Sequence, residues 1–188
     1  MSLLTTASQT LGPYGAILFD KVQTPDVALA GVAGERVTIR GCVIDGDGKP
    51  VNDAVVETWQ ANTHGKYAHP DDVQEKPIDK KFKGFGRVQT DGNGVFSVAT
   101  IKPGPVAGPG GVPQAPHVVV IVFMRGLLKH LATRIYFPDE AGNANDPVLK
   151  LVPAERRATL IAKKTAEQGV LEWNVILQGK DETVFFDY

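Results

Sequence analysis

The sequence predicts an all-β fold: an antiparallel β-sandwich with long loops and an extended N-terminal arm. Three observations predict it. Short β-branched runs recur along the chain, and Asp-Gly-type turn signals follow or separate them. The 20 glycines and 13 prolines are spread throughout rather than collected in a linker. Helical periodicity is scarce.

The elements follow in order. Residues 1–34 form an arm, partly apolar through Leu3, Leu4, Leu11, Ile17, Leu18 and Phe19, of the kind that lies on its own sandwich or on a neighbour's. Residues 35–188 are the sandwich domain. Residues 35–44 (ERVTIRGCVI) alternate, placing Val37, Ile39, Gly41 and Val43 on one face, and end in the turn Asp45-Gly46-Asp47-Gly48. Residues 54–60, 94–100, 118–123, 133–137, 159–163 and 171–177 bring the set to roughly seven strands. One short helix is expected from Pro153, with proline at its first position. The connections 61–90 and 102–116 are polar or rich in glycine and proline and too long for tight hairpins, so they are expected to carry function.

Composition excludes several function classes. A chain of 188 residues that is 43% hydrophobic builds one sizeable core. A net charge of −1 draws the protein neither to nucleic acid nor to an anionic membrane. No stretch approaches the ~18 apolar residues of a membrane span. Residues 1–14 lack a basic region followed by an apolar run, so they do not read as a signal peptide. Cys42 is the single cysteine and reads as a small buried hydrophobe; without a disulfide framework, a cytoplasmic location is expected.

The residues alone give no complete catalytic constellation. His64, Tyr67 and His69 form the densest ligand-like group, but their spacing matches no zinc pattern. His117 opens the most apolar strand, and the same-face position two residues on, where a second ligand from that strand would stand, is Val119. Lys80, Lys81, Lys83 and Arg87 read as a solvated basic loop. No Gly-x-Ser-x-Gly elbow or phosphate loop is present.

An ordered series of motifs resembles the intradiol dioxygenase family over nearly the whole chain. It comprises residues 8–14 (SQTLGPY), 56–62 (VETWQAN), Gly65-Lys66-Tyr67, Phe85-Gly86-Arg87, 100–104 (TIKPG), 134–137 (RIYF) and 182–187 (ETVFFD). The resemblance implies a ferric site of two tyrosines and two histidines. Tyr67 and His117 match one of each. The second tyrosine position holds Val106 and the second histidine position Val119, with Gln114 at an arginine position. This departure resembles the non-ligating α subunit of the family's two-subunit members. It implies that Tyr67 and His117 are vestigial and that Fe(III) is bound by a partner β subunit. It further implies that Thr10, Gly12, Pro13 and Arg125 line a substrate pocket shared with that partner, with Arg125 as its cleft arginine. The implied substrates are a small aromatic catechol bearing a carboxylate and O2, in a higher-order (αβ)n assembly. Two rival readings remain at this point. One is a self-sufficient iron enzyme that uses His64 or His69 as a substitute ligand; the other is a non-catalytic β-sandwich binding or structural module.

Overall fold

The computed structural model describes residues 5–12 and 14–187. The first element among the described residues is a short helix, α1 (Tyr14–Phe19). Eleven strands follow: β1 (Arg36–Ile44), β2 (Val55–Trp59), β3 (Phe85–Gln89), β4 (Val95–Ile101), β5 (Val106–Ala107), β6 (Pro113–Gln114), β7 (His117–Phe123), β8 (Leu131–Tyr136), β9 (Lys163–Lys164), β10 (Val170–Glu172) and β11 (Val175–Ile176). One sheet has the order β11-β1-β10-β9 with β4 also paired to β1; a second runs β3-β2-β7-β8; β5 and β6 form a separate ribbon. No helix among the described residues is long and apolar enough to cross a membrane.

Alternation decides which face of each strand is inside. On β7, Val118, Val120 and Val122 point into the core, where they meet Val37, Ile39 and Val43 of β1 and Phe96 and Val98 of β4. The opposite face of the β3-β2-β7-β8 sheet therefore carries His117, Val119, Trp59, Arg134 and Tyr136. Its His117 end is not left to solvent. A second apolar cluster of Ala115, Tyr136, Leu149, Val152 and Leu160 covers it.

The antiparallel sandwich holds as the architecture, with informative departures. β1 pairs with both β10 and β11 in parallel. The predicted strand 171–177 is broken between these two because the Asn174 side chain takes over a ladder position, its Oδ1 accepting from the Cys42 N–H at 2.8 Å. Gly41 is obligatory beside this break, since a Cβ there would lie 1.8 Å from the Trp173 carbonyl oxygen. The predicted strand 159–163 is not continuous: Thr159 and Leu160 end a 3-10 helix, Ala154–Leu160, with Pro153 as its N-cap rather than its first residue, Ile161 forms a single bridge to Tyr136, and only Lys163 belongs to a strand, β9. Thr159 is held in that turn by donating its hydroxyl to the Arg156 carbonyl at 2.8 Å. Within 61–90 the sequence reading missed β3, whose alternation is masked by Gly86 at an inward position.

The arm contributes to the core. Thr24, Asp26 and Ala28 form bridges to Arg87, Ala99 and Phe82, and Val27 and Ala28 are fully buried.

Candidate functional site

Two groupings of the singled-out residues emerge, at opposite ends of β7. Six steps from His117 to Phe123 at about 3.3 Å each place them roughly 20 Å apart.

The first surrounds Tyr67 and His117. Strand register assembles it: His117 is paired with Tyr136, Val119 with both Trp59 and Arg134, and Val106 with Gln114. Tyr67 arrives from the loop after β2, its ring stacked on Trp59 with centroids 5.8 Å apart and planes within 6°. That loop is built by Asn62, whose Oδ1 accepts from the His64 and Lys66 N–H groups at 2.9 and 3.0 Å and whose Nδ2 donates to the Pro77 carbonyl. Gly65 (φ 71°) permits close packing on the segment that carries Val106, because a Cβ would sit 2.0 Å from the Pro105 carbonyl oxygen. Gln60 is wholly buried and bridges the sheets through Thr100 Oγ1 and the Ile101 carbonyl. The Trp-Gln-Ala-Asn motif thus has a structural logic: Trp59 supplies the stacking face, Gln60 the tie between sheets, and Asn62 the loop brace.

Electrostatics in the pocket are set by burial, by one guanidinium and by the carboxylates of Asp72 and Asp146. His117 shares a hydrogen bond with the Ala115 carbonyl through Nδ1 at 2.7 Å, as a neutral ring carrying its proton there does. Burial, followed by the nearby Arg134, pushes its pKa down to about 4. Burial holds the Tyr67 phenol above its usual range, opposed by Arg134 and reinforced by Asp72. Tyr136 is pushed up more strongly, by burial and then by Asp146. The Asp146 carboxylate, fully buried, accepts from the Tyr136 hydroxyl at 3.0 Å and from the backbone N–H groups of Ala115, Val148 and Leu149.

These residues do not fit a ferric ion. Val106 and Val119 bring no lone pair, and the one charge that acts on both Tyr67 and His117 is the Arg134 guanidinium, with Asp72 acting on Tyr67 and Asp146 on His117. His64 lines a different cavity, beside Pro77 and Phe82, and His69 stands edge-on to Trp59 with ring centroids 6.2 Å apart.

The second grouping joins the arm to the turn after β7. Thr10 Oγ1 accepts from the Gly126 N–H at 2.9 Å and from the Gly12 N–H at 3.4 Å. Arg125, 61% exposed at its side chain, places Nη1 3.2 Å from Oδ2 of Asp53, which is 13% exposed. Both Asp53 carboxylate oxygens are buried without a hydrogen-bond partner among the described residues. Beside this clasp is a cavity of about 400 Å³ lined by Leu11, Phe123, Met124, Leu128, His130 and Phe186. Thr10, Gly12 and Arg125 are therefore brought together; Pro13 lies outside the described residues.

Of the remaining candidates, Arg87 belongs to β3 rather than to a basic loop. It pairs with Glu57 at 2.7 Å through Nε, with the Phe19 ring 4.5 Å away. Cys42 is partly exposed rather than buried, and burial followed by Asp91 raises its thiol pKa. The sequence reading gave no site role to Asp53 or Asp146, and took Arg134 and Tyr136 only as part of the 134–137 motif. The Asp146-Pro147 pair was the one available signal, as an aspartate before proline commonly organises a turn.

Comparison with known proteins places the chain. The family model described as Dioxygenase matches residues 19–179. The protocatechuate 3,4-dioxygenase alpha chain of Burkholderia cepacia is 46% identical over 202 residues, covering 99% of this chain and 98% of that one. The beta chain of the same name and organism is 37% identical, covering 80% of this chain and 67% of that one. Among solved structures, a dioxygenase domain from Streptomyces sp. SirexAA-E superposes with a TM-score of 0.63 at 24% identity, covering 86% and 89%; this likeness speaks to fold alone.

Proposed function

The chain belongs to the intradiol dioxygenase family, and on that premise we propose that it is the α subunit of a protocatechuate 3,4-dioxygenase. In this role it contributes to O2-dependent intradiol cleavage of protocatechuate to 3-carboxy-cis,cis-muconate, with Fe(III) held by a β subunit. The observation that carries this reading is the separation between the two groupings. The pocket that keeps Tyr67 and His117 has valine at the other two ligand positions, while Arg125 and Thr10 meet at the far end of β7, about 20 Å away. Arg125 is too distant to act in its own chain's pocket, and its exposed guanidinium points to a site completed by another chain.

Each residue has a physical task in that shared site. Arg125 offers a permanent charge and a planar donor fork suited to a substrate carboxylate or an anionic intermediate. Thr10 ties the arm to the Arg125 turn, so the wall moves as one unit. Gly12 (φ 65°) lets backbone approach the ligand closely, and the family motif assigns Pro13 to the same pocket. In this scheme residues 1–34 form the arm that contacts the β subunit and 35–188 the sandwich domain. The exposed Tyr14, Ile17 and Leu18 are suited to burial in such an interface, which for an obligate pair covers about 2,000 Å² or more. The αβ pairs would associate further into a cytoplasmic (αβ)n assembly.

The test is Arg125→Ala in the co-expressed complex. Turnover of protocatechuate should fall at least about tenfold, the order expected for loss of a charged contact to the reacting substrate, while iron per β subunit stays unchanged. Undiminished turnover refutes the role.

A further inference from the structure

Arg134 is tied to both positions of the pocket's missing ligands, as the ladder partner of Val119 and through a hydrogen bond to Gln114, the ladder partner of Val106. On β8, Arg134 stands directly across the ladder from Val119, the absent histidine. It is nearly buried, at 9% exposure. Its Nη1 donates to Gln114 Oε1 at 2.6 Å, and Gln114 Nε2 in turn donates to the Ala107 carbonyl at 3.0 Å. That carbonyl belongs to the residue next to Val106, the absent tyrosine. On the other side the guanidinium hydrogen-bonds the Tyr136 hydroxyl, which is anchored by buried Asp146. Tyr136 is itself the ladder partner of His117, its ring centroid 5.7 Å from the imidazole. Arg134 is thus linked to both lost ligand positions and, through Tyr136, to the surroundings of His117, and its charge also acts on Tyr67.

We propose that Arg134 is the resident cation of this pocket, a fixed guanidinium that excludes a metal ion independently of the two lost ligands. A metal cation entering beside Tyr67 and His117 would meet a positive charge already desolvated and anchored by Gln114 and Tyr136. In a water-poor pocket such like-charge repulsion is poorly screened. The guanidinium has no accessible neutral form with which to yield. Restoring ligands at positions 106 and 119 is therefore insufficient to restore metal binding while Arg134 remains. This inference rests on the reading that the chain is not the iron-bearing subunit.

The experiment compares three full-length proteins exposed to Fe(II) in air and then freed of loose metal: the unsubstituted chain, V106Y/V119H, and V106Y/V119H/R134Q. Iron per chain and the visible tyrosinate-to-iron absorption are read. The triple variant should hold at least tenfold more iron than the double variant and show the absorption band. Equal iron in the double and triple variants, whether high or low, overturns the proposal. A stoichiometric iron in the unsubstituted chain would instead sink the function proposed above, so the two failures are distinguishable. Circular dichroism checks the folding of each variant. Should the triple variant not fold, the single substitution R134Q carries the test. Co(II) should then broaden the His117 ring resonances at no more than a tenth of the concentration needed in the unsubstituted chain. Equal concentrations again overturn the proposal.

Discussion

Removing Arg125 should do two separable things, one to stability and one to turnover. The stability effect follows from Asp53. Its carboxylate oxygens are buried, without a hydrogen-bond partner among the described residues, and Arg125 Nη1 stands 3.2 Å from one of them. Arg125→Ala leaves that carboxylate uncompensated, and an unsatisfied buried acceptor is worth about 1–3 kcal/mol. Because the Arg125 side chain is 61% exposed, water screens part of the attraction, and the lower half of that range, about 1–2 kcal/mol, applies. With an m-value of about 2 kcal/mol/M, the urea midpoint should fall by roughly 0.5–1 M. Asp53→Asn removes the buried charge, so the double variant R125A/D53N should be less destabilised than the sum of the singles. Unfolding of the full chain followed by Trp59 and Trp173 fluorescence gives the cycle. A coupling below about 0.3–0.5 kcal/mol, the usual range for independent sites, would refute the pairing. Turnover of the αβ complex is the second readout. Arg125→Ala should lower it, whereas Asp53→Asn should chiefly raise KM by freeing the guanidinium from its anchor.

Three further outcomes are expected. Thr10→Val abolishes the acceptor for the Gly126 N–H and should lower turnover of the complex several-fold with β-bound iron unchanged, while Thr10→Ser should retain activity; equal loss in both variants would count against the hydrogen bond. Gly65→Ala combines a left-handed backbone with a 2.0 Å clash against Pro105, and should destabilise the chain by more than about 1 kcal/mol, visible as a lowered melting temperature. For His117, an unfolded imidazole takes up a proton as pH falls through about 6.5, whereas the folded one resists until about 4. The folded state therefore binds fewer protons in that window, and stability present above pH 6.5 is lost towards pH 4, by an amount on the order of 3 kcal/mol. His117→Asn should flatten that slope in urea titrations at pH 7 and pH 4.5, and an unchanged slope would contradict the burial argument.

The long strands were legible because their alternation is a direct consequence of having one buried face, as in β1 and β7. Less legible were elements defined by tertiary partners. β3 reads as loop because Gly86 occupies an inward position against Thr58 and Val27. The break between β10 and β11 depends on Asn174 reaching Cys42 from far along the chain. The same distinction holds at the sites. Val106 and Val119 were readable as losses by their places in a motif series. The meeting of Thr10 with Gly126, 116 residues apart, and the buried Asp53 opposite Arg125 have no local signature. Arg134 entered only as part of the 134–137 motif, without a role, because its burial depends on the register beside Val119 and on the cover over Tyr136.

The most direct test of the account is iron content together with protocatechuate-dependent O2 uptake, measured for this chain alone and for the chain co-expressed with a β subunit. The account predicts a colourless, inactive chain alone and an iron-bearing, active complex with one iron per αβ pair. Stoichiometric iron and O2 uptake in the chain alone would contradict it.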